Sequence, residues 1–313
     1  MTGKSTLNES FFSVRHVLAT TLASLTYLVL SYWLIGYKQD QLTLVLLFNI
    51  CYYLSRITRK FILGFSIFII FWIIFDFMKA FPNYQYQQVH IGDLYTTEKS
   101  LFGINDHGKL LTPNEFWLAN HTTWLDITTG FFYLSWVPVP LGFAAFLFFK
   151  NRKWFLQFSL TFLLVNIIGF IIYYVYPAAP PWYIQEFGFN FQANTPGNTA
   201  GLGRFDAYFN VQVFQSLYAK SSNVFAAMPS LHSAYPLVVL FYGLKFRLKW
   251  INIIFAMIMV GIWFSAVYTS HHYVLDVLAG ILCAITGIAL FTWLSEKQSF
   301  VKRAIEKYTL NIK

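Results

Sequence analysis

The sequence predicts an all-α, polytopic membrane protein of about eight transmembrane helices, and three observations carry that prediction. Hydrophobic residues make up 57% of the 313-residue chain and charged residues only 11%, where a soluble domain carries about 25% charged residues. Apolar runs close to bilayer length recur along the whole chain, and its mean hydropathy is +0.52. Aromatic residues reach 21%, which suits lipid-facing helices with interfacial belts.

Taken in order, the spans are expected at 17–36, 42–55, 62–78, 127–149, 155–176, 231–246, 251–270 and 273–294. The first reads as a retained helix, because no small-residue cleavage site follows a short apolar core. The second and sixth fall short of the roughly 20 residues a span normally needs. The sixth also contains Pro236, where a membrane helix can bend. The seventh and eighth are almost contiguous and predict a tight helical hairpin. Two polar segments interrupt the pattern. Residues 79–126 contain Pro82, Gly92, Gly103, Gly108 and Pro113. Residues 177–230 open with Pro-Ala-Ala-Pro-Pro-Trp-Tyr and are rich in Asn, Gln, Gly and Ser. Loops this long in a compact protein are usually functional. The chain is expected to divide into N-terminal helices with a polar loop at 1–119 and a chemistry-bearing membrane core at 120–313.

The net charge of +9 does not indicate nucleic acid, because the basic residues sit in short clusters beside apolar runs, as topology signals do. With the N-terminus inside, only Lys38, Lys79, Lys99, Lys109, Arg204 and Lys220 of the 22 basic residues fall on the outer side. Lys4, Arg15 and the others lie inside, which supports eight spans with both termini cytoplasmic. Asp76 and Lys79 read as an i,i+3 pair at a helix end. Cys51 and Cys283 both lie in apolar runs, so no disulfide framework is expected.

Two motifs reach the outer face on this topology. Met228-Pro-Ser-Leu-His-Ser233 opens the sixth span and Thr269-Ser-His-His-Tyr-Val-Leu-Asp276 joins the last two. His272 and Asp276 are four residues apart, so on a helix the carboxylate can fix one imidazole nitrogen and leave the other nucleophilic. The plainer reading is a polar pair satisfying itself, although ionisable groups within spans are costly and usually functional. Ser230 is placed to cap the sixth span, whose first amides, with Ser230 and Ser233, can cradle a phosphate while His232 protonates a leaving alkoxide. The alternative is an ordinary capped helix with an interfacial histidine. His271 is a substrate-binding candidate or a solvated neighbour. Arg204 can fork onto a phosphate or polyol, or pair with Asp206. Asp126 can bind polyol hydroxyls, or simply favour a helix N-terminus.

Pro-Ser-x-His followed by His-x-x-x-Asp resembles the paired signature of the type-2 phosphatidic acid phosphatase superfamily, which implies that superfamily's helical core here. Two cationic elements usual in that superfamily differ. Ala266 stands where an arginine is expected six residues before the second histidine, and no Lys-x(6)-Arg-Pro occurs. The segments Tyr176-Pro-Ala-Ala-Pro-Pro-Trp-Tyr183, Pro196-Gly-Asn-Thr-Ala-Gly-Leu-Gly-Arg-Phe-Asp206, Ala227-Met-Pro-Ser-Leu-His-Ser233 and Thr269-to-Asp276 resemble, in order, the fungal inositol phosphorylceramide synthases, the targets of aureobasidin A. The likeness runs from about Asn120 to Ala279.

That resemblance implies a catalytic triad of His232, His272 and Asp276. It implies transfer of phosphoinositol from phosphatidylinositol to a ceramide-type acceptor, with diacylglycerol released. The same three residues with water as acceptor would make a phosphatase of phosphatidic acid or an isoprenoid diphosphate, and a non-catalytic lipid-binding protein is the third reading. The expected partners are therefore the two lipids and the membrane, at an extracytoplasmic face of a bacterial inner membrane or a Golgi-type membrane. No cofactor or metal is expected, because the carboxylates are scattered without an Asp-x-x-Asp cluster.

Overall fold

The computed structural model describes residues 12–220 and 223–313. Lys4, counted above on the inner side, lies outside the described residues, as do Ser221 and Ser222 of the second polar segment. The helices in chain order are α1 (Val14–Ile35), α2 (Gln39–Leu54), α3 (Arg56–Phe77), α4 (Gly92–Phe102), α5 (Pro113–Ala119), α6 (Thr123–Leu134), α7 (Pro138–Lys150) and α8 (Arg152–Val175). They continue with α9 (Pro181–Phe187), α10 (Gly203–Phe209), α11 (Val213–Tyr218), α12 (Leu231–Lys245), α13 (Ile251–Tyr268), α14 (Val274–Lys297) and α15 (Ser299–Asn311). A hairpin of β1 (Ile104–Asp106) and β2 (Lys109–Leu111) lies between α4 and α5.

Among the described residues, six stretches are long and apolar enough to cross a membrane: Val14–Ile35, Arg56–Ala80, Thr123–Lys150, Arg152–Val175, Ile251–Tyr268 and Val274–Lys297. The protein is an integral, multi-pass membrane protein. The other two expected spans form as α2 and α12, with 16 and 15 residues. At 1.5 Å per residue they are about 24 and 22 Å long, less than the roughly 30 Å hydrocarbon core.

The chain separates into two compact units: residues through Ala80 with Leu310–Lys313, and Phe81–Thr309. In the first, Ser13 caps α1 by accepting from the His16 amide. Gly36 ends α1 at φ 74°, a conformation that costs glycine little. Ser55 caps α3. Polar pairs fasten α1 to α2, as they do between membrane helices. The Thr20 and Tyr53 hydroxyls are 2.7 Å apart, and Asn49 Nδ2 donates to Ser24 Oγ at 2.9 Å. Asp76 and Lys79 pair at 2.7 Å, as their spacing predicts.

In the second unit, the described parts of the polar segments carry α4, α5, the β hairpin, α9, α10 and α11. Among the described residues the β hairpin is the one sheet, with β1 and β2 antiparallel. Its turn needs two residues with positive φ, which His107 at 47° and Gly108 at 81° supply. The span expected at 127–149 is broken into α6 and α7. Ser135 Oγ folds back onto the Phe132 carbonyl at 2.5 Å, and Pro138 and Pro140 cannot donate to the preceding turn. At the centre, α12 is clasped by its neighbours. Tyr235 Oη donates to Asn166 Oδ1 of α8 at 2.6 Å, and Trp263 Nε1 of α13 donates to the Ser233 carbonyl at 2.9 Å. These bonds satisfy polar atoms that lipid cannot.

Candidate active site

The two histidine motifs meet because two helix N-termini lie side by side. Ser230 caps α12 by accepting from the Ser233 amide. Its own backbone N–H donates to the Asp276 carbonyl of α14 at 2.9 Å. The turn before α14 is equally fixed. The amides of His271 and His272 both donate to the Ala266 carbonyl, at 3.1 and 3.0 Å. Asn114 Nδ2 clasps the turn from α5, donating to the carbonyls of Val267 at 2.8 Å and His272 at 2.9 Å.

His272 Nε2 faces His232 Nδ1 at 3.4 Å. The other nitrogen of His272, Nδ1, lies 2.9 Å from the Ala227 carbonyl and 3.6 Å from Asp276 Oδ2. A carbonyl can only accept, so Nδ1 carries the proton and Nε2 holds a free lone pair. The short bond that sets this tautomer runs to Ala227, with Asp276 just behind it. Asp276 is fully buried. Its Oδ2 accepts from the Tyr273 amide at 2.8 Å, and its Oδ1 has no hydrogen-bond partner among the described residues.

His232 is held by aromatic side chains from the broken α6–α7 stretch. The Tyr133 hydroxyl shares a hydrogen bond with His232 Nδ1 at 2.9 Å, and the Trp136 ring packs on the imidazole with centroids 4.4 Å apart. His271 is not a solvated neighbour. It is buried, stacked between Tyr218 at 4.4 Å and Tyr133 at 5.5 Å, with Nε2 2.9 Å from the Thr199 carbonyl. Burial and the adjacent His272 hold its pKa down to about 3, so it is neutral.

Arg204 and Asp126, both singled out in the sequence, are partners. Arg204 Nε donates to Asp126 Oδ1 at 2.7 Å, and the Tyr268 hydroxyl donates to the same oxygen at 2.8 Å. Asp206 instead caps α11, accepting from the amides of Phe214 at 3.2 Å and Gln215 at 2.9 Å. Arg204 Nη2 is buried without a hydrogen-bond partner among the described residues. It lies close to Gly201, which packs on Thr269 in the histidine turn. His121 Nδ1 lies 3.4 Å from Asp126 Oδ2 at the surface end of this cluster.

The 177–230 segment is fastened over the same turn. The amides of Trp182 and Gly201 donate to the carbonyls of Ser270 and Thr269, at 3.0 and 2.9 Å. Gln185 Nε2 donates to Ser270 Oγ at 3.1 Å.

Sequence reasoning missed Tyr133, Trp136, Asn114, Ala227 and Glu98. Glu98 accepts from the Val274 and Leu275 amides, at 2.9 and 3.1 Å, capping α14 from outside. Its sequence neighbours Thr96, Thr97, Lys99 and Ser100 are polar, so nothing local marked Glu98 as buried. Tyr133 lies just before, and Trp136 within, the Ser-Trp-Val-Pro-Val-Pro interruption, which could have been read as a break in a span.

A helical membrane protein that sets an unprotonated imidazole nitrogen against a second histidine, with a buried carboxylate behind, has the equipment of a phosphoryl-transfer enzyme. The comparisons with known proteins agree. The family model of the PAP2 superfamily matches residues 107–290. A Bacteroides thetaiotaomicron protein named phosphoinositol dihydroceramide synthase is 43% identical over 303 residues, covering 96% of this chain and 99% of that one. This carries the likeness well into the N-terminal helices. The inositol phosphorylceramide synthase of Candida albicans is 29% identical over 261 residues, and the catalytic subunit of the Saccharomyces cerevisiae enzyme 30% over 225. Those matches take in 79% and 68% of this chain but only 51% and 52% of the fungal proteins. No solved structure matches the chain. The chain belongs to the PAP2 superfamily and, within it, to the inositol phosphorylceramide synthase family.

Proposed function

We propose that the protein transfers phosphoinositol from phosphatidylinositol to a ceramide-type acceptor and releases diacylglycerol, through a phosphohistidine on His272. The observation that carries the chemistry is the 3.4 Å approach of His272 Nε2 to His232 Nδ1, with His272 Nδ1 bonded to the Ala227 carbonyl. The near full-length likeness to a phosphoinositol dihydroceramide synthase supports the choice of donor and acceptor.

In the first step the Nε2 lone pair of His272 attacks phosphorus and the bond to the diacylglycerol oxygen breaks. His232, through the nitrogen shared with Tyr133, gives its proton to that oxygen. The phosphorylated imidazole is cationic, and Asp276 at 3.6 Å stabilises it. In the second step the acceptor hydroxyl gives its proton back to His232 and attacks phosphorus, and the nitrogen–phosphorus bond breaks.

Arg204, anchored by Asp126, presents Nη2 to a phosphate oxygen, in place of the cations that the sequence lacks. Asp126 Oδ2, toward His121, is the acceptor for an inositol hydroxyl. Ser230 and the first turn of α12 bind a phosphate oxygen. His271 supports the site from behind by stacking. The helices α9 to α11 keep water from the phosphohistidine, which favours transfer over hydrolysis. The site belongs to the core at 120–313 and opens on the extracytoplasmic face, since the basic clusters mark the other side.

The test uses purified protein with phosphatidylinositol and a fluorescent ceramide, with His272→Ala as control. An inositol-containing sphingolipid that disappears in the variant supports the reading. Phosphate released from phosphatidic acid, with no such lipid formed, would replace it with the hydrolase.

A further inference from the structure

We propose that Glu98 is a positioning residue for the transfer reaction: its ionised carboxylate, carried on α4, holds the first turn of α14 and with it His272 and Asp276. The inference rests on the reading of His272 as the nucleophile.

Glu98 is fully buried. Its two oxygens take the Val274 and Leu275 amides, at 2.9 and 3.1 Å, while Asp276 Oδ2 takes the Tyr273 amide at 2.8 Å. Three successive N–H groups that a helix start leaves unpaired are thus claimed by two carboxylates, one from another helix and one from within. His272 immediately precedes this turn, and its carbonyl is clasped from the other side by Asn114. The nucleophile is therefore suspended between α4 and α5, with Glu98 and Asn114 as the two anchors.

The anion accepts both N–H groups best. Protonation turns one oxygen into a hydroxyl, a weaker acceptor whose proton must also be placed beside an amide. The surroundings supply no cation to keep it ionised. Across the interface stand Asp276 and Tyr273. On α4 itself Lys99 bonds to the Tyr95 hydroxyl at 2.9 Å and lies 3.9 Å from Glu115 of α5, and Tyr95 donates to Glu115 at 2.8 Å. No ion pair reaches Glu98 among the described residues. Burial pushes its carboxyl up to about 7, Asp276 adds in the same direction, and the two amides oppose. Near neutral pH the cap is therefore poised between its two forms.

The test measures kcat and KM of the full-length protein in nanodiscs, with phosphatidylinositol and fluorescent ceramide, across about pH 5.5 to 8.5. Wild type is compared with Glu98→Gln, Glu98→Asp and His272→Ala. Wild-type kcat should rise as pH passes about 7. Glu98→Gln should abolish that rise and lower kcat at the alkaline end by about 10- to 100-fold, with KM within about twofold. Glu98→Asp should restore part of the rise. A Glu98→Gln enzyme that keeps the wild-type kcat, or keeps the rise, overturns the inference. So does a Glu98→Asp enzyme as flat with pH as Glu98→Gln, which would mark Glu98 as a purely structural cap. Undiminished product in His272→Ala would overturn the nucleophile assignment, and this inference with it.

Discussion

The backbone N–H of Ser230 donates to the carbonyl of Asp276 over 2.9 Å, and this bond sets the two histidine-bearing helices in register. It forms because residue 280, one turn further along α14, is glycine. A Cβ there would collide with the Ser230 carbonyl. Gly280→Ala should therefore push α12 and α14 apart. We expect a stability loss of about 1–3 kcal/mol and a loss of kcat of about 100-fold, because the His232–His272 approach opens. Thermal melting and lipid-product assays on the same preparation check both. Wild-type turnover in that variant would show that the register does not matter.

Tyr133 is the resting hydrogen-bond partner of His232 at 2.9 Å. Removing its hydroxyl in Tyr133→Phe keeps the ring stacked on His271 but leaves Nδ1 of His232 without that partner. Turnover should fall by about tenfold with KM nearly unchanged, as for loss of a group that orients an acid–base residue. Steady-state kinetics with varied donor lipid decide this; a change confined to KM would place Tyr133 in substrate binding instead.

These relationships show what was legible in the chain and what was not. His232, His272, Asp276 and Ser230 announce themselves locally: a cap residue two positions before a histidine, and a carboxylate at helical spacing from another. The apolar runs give the helices because lipid demands internally satisfied backbones. The partners that orient the site come from far away in sequence. Tyr133 is 99 residues from His232, Asn114 is 158 from His272, and Glu98 is 176 from Val274. No periodicity encodes such pairings. The Arg204–Asp126 bond spans 78 residues, so each residue could be suspected alone while their pairing could not. Asp206, two residues from Arg204, was the nearer partner on paper, but it caps α11 instead.

Arg204 offers a test of how the phosphate is held. Lysine at this position can keep the ion pair with Asp126, but it has no rigid fork with a second nitrogen to present. Arg204→Lys should raise the KM for phosphatidylinositol by about tenfold, since the lost charge-assisted hydrogen bond is worth roughly 1.5–3 kcal/mol. Asp126→Asn should cost more than Arg204→Lys, because it strands a largely buried guanidinium. Donor titrations at saturating acceptor measure both. Equal effects on donor and acceptor KM would mean that Arg204 shapes the site without touching the donor.

Glu98 should leave opposite marks on activity and on stability. Its carboxyl titrates near 4.5 when unperturbed and is pushed up to about 7 in the folded protein by burial. Between those values the folded state holds a proton that the unfolded state has released, so folding stability falls as pH rises through that window. The ionised cap that orients His272 is thus assembled at a cost in stability. Glu98→Gln removes the titration. Its melting temperature should gain on wild type as pH rises from about 5 to about 8, even as its turnover falls furthest behind at the upper end. Melting curves at the two pH values check the sign. A Glu98→Gln protein that loses ground to wild type as pH rises would show that the carboxyl is ionised well below neutrality and that the amides, not burial, dominate its environment.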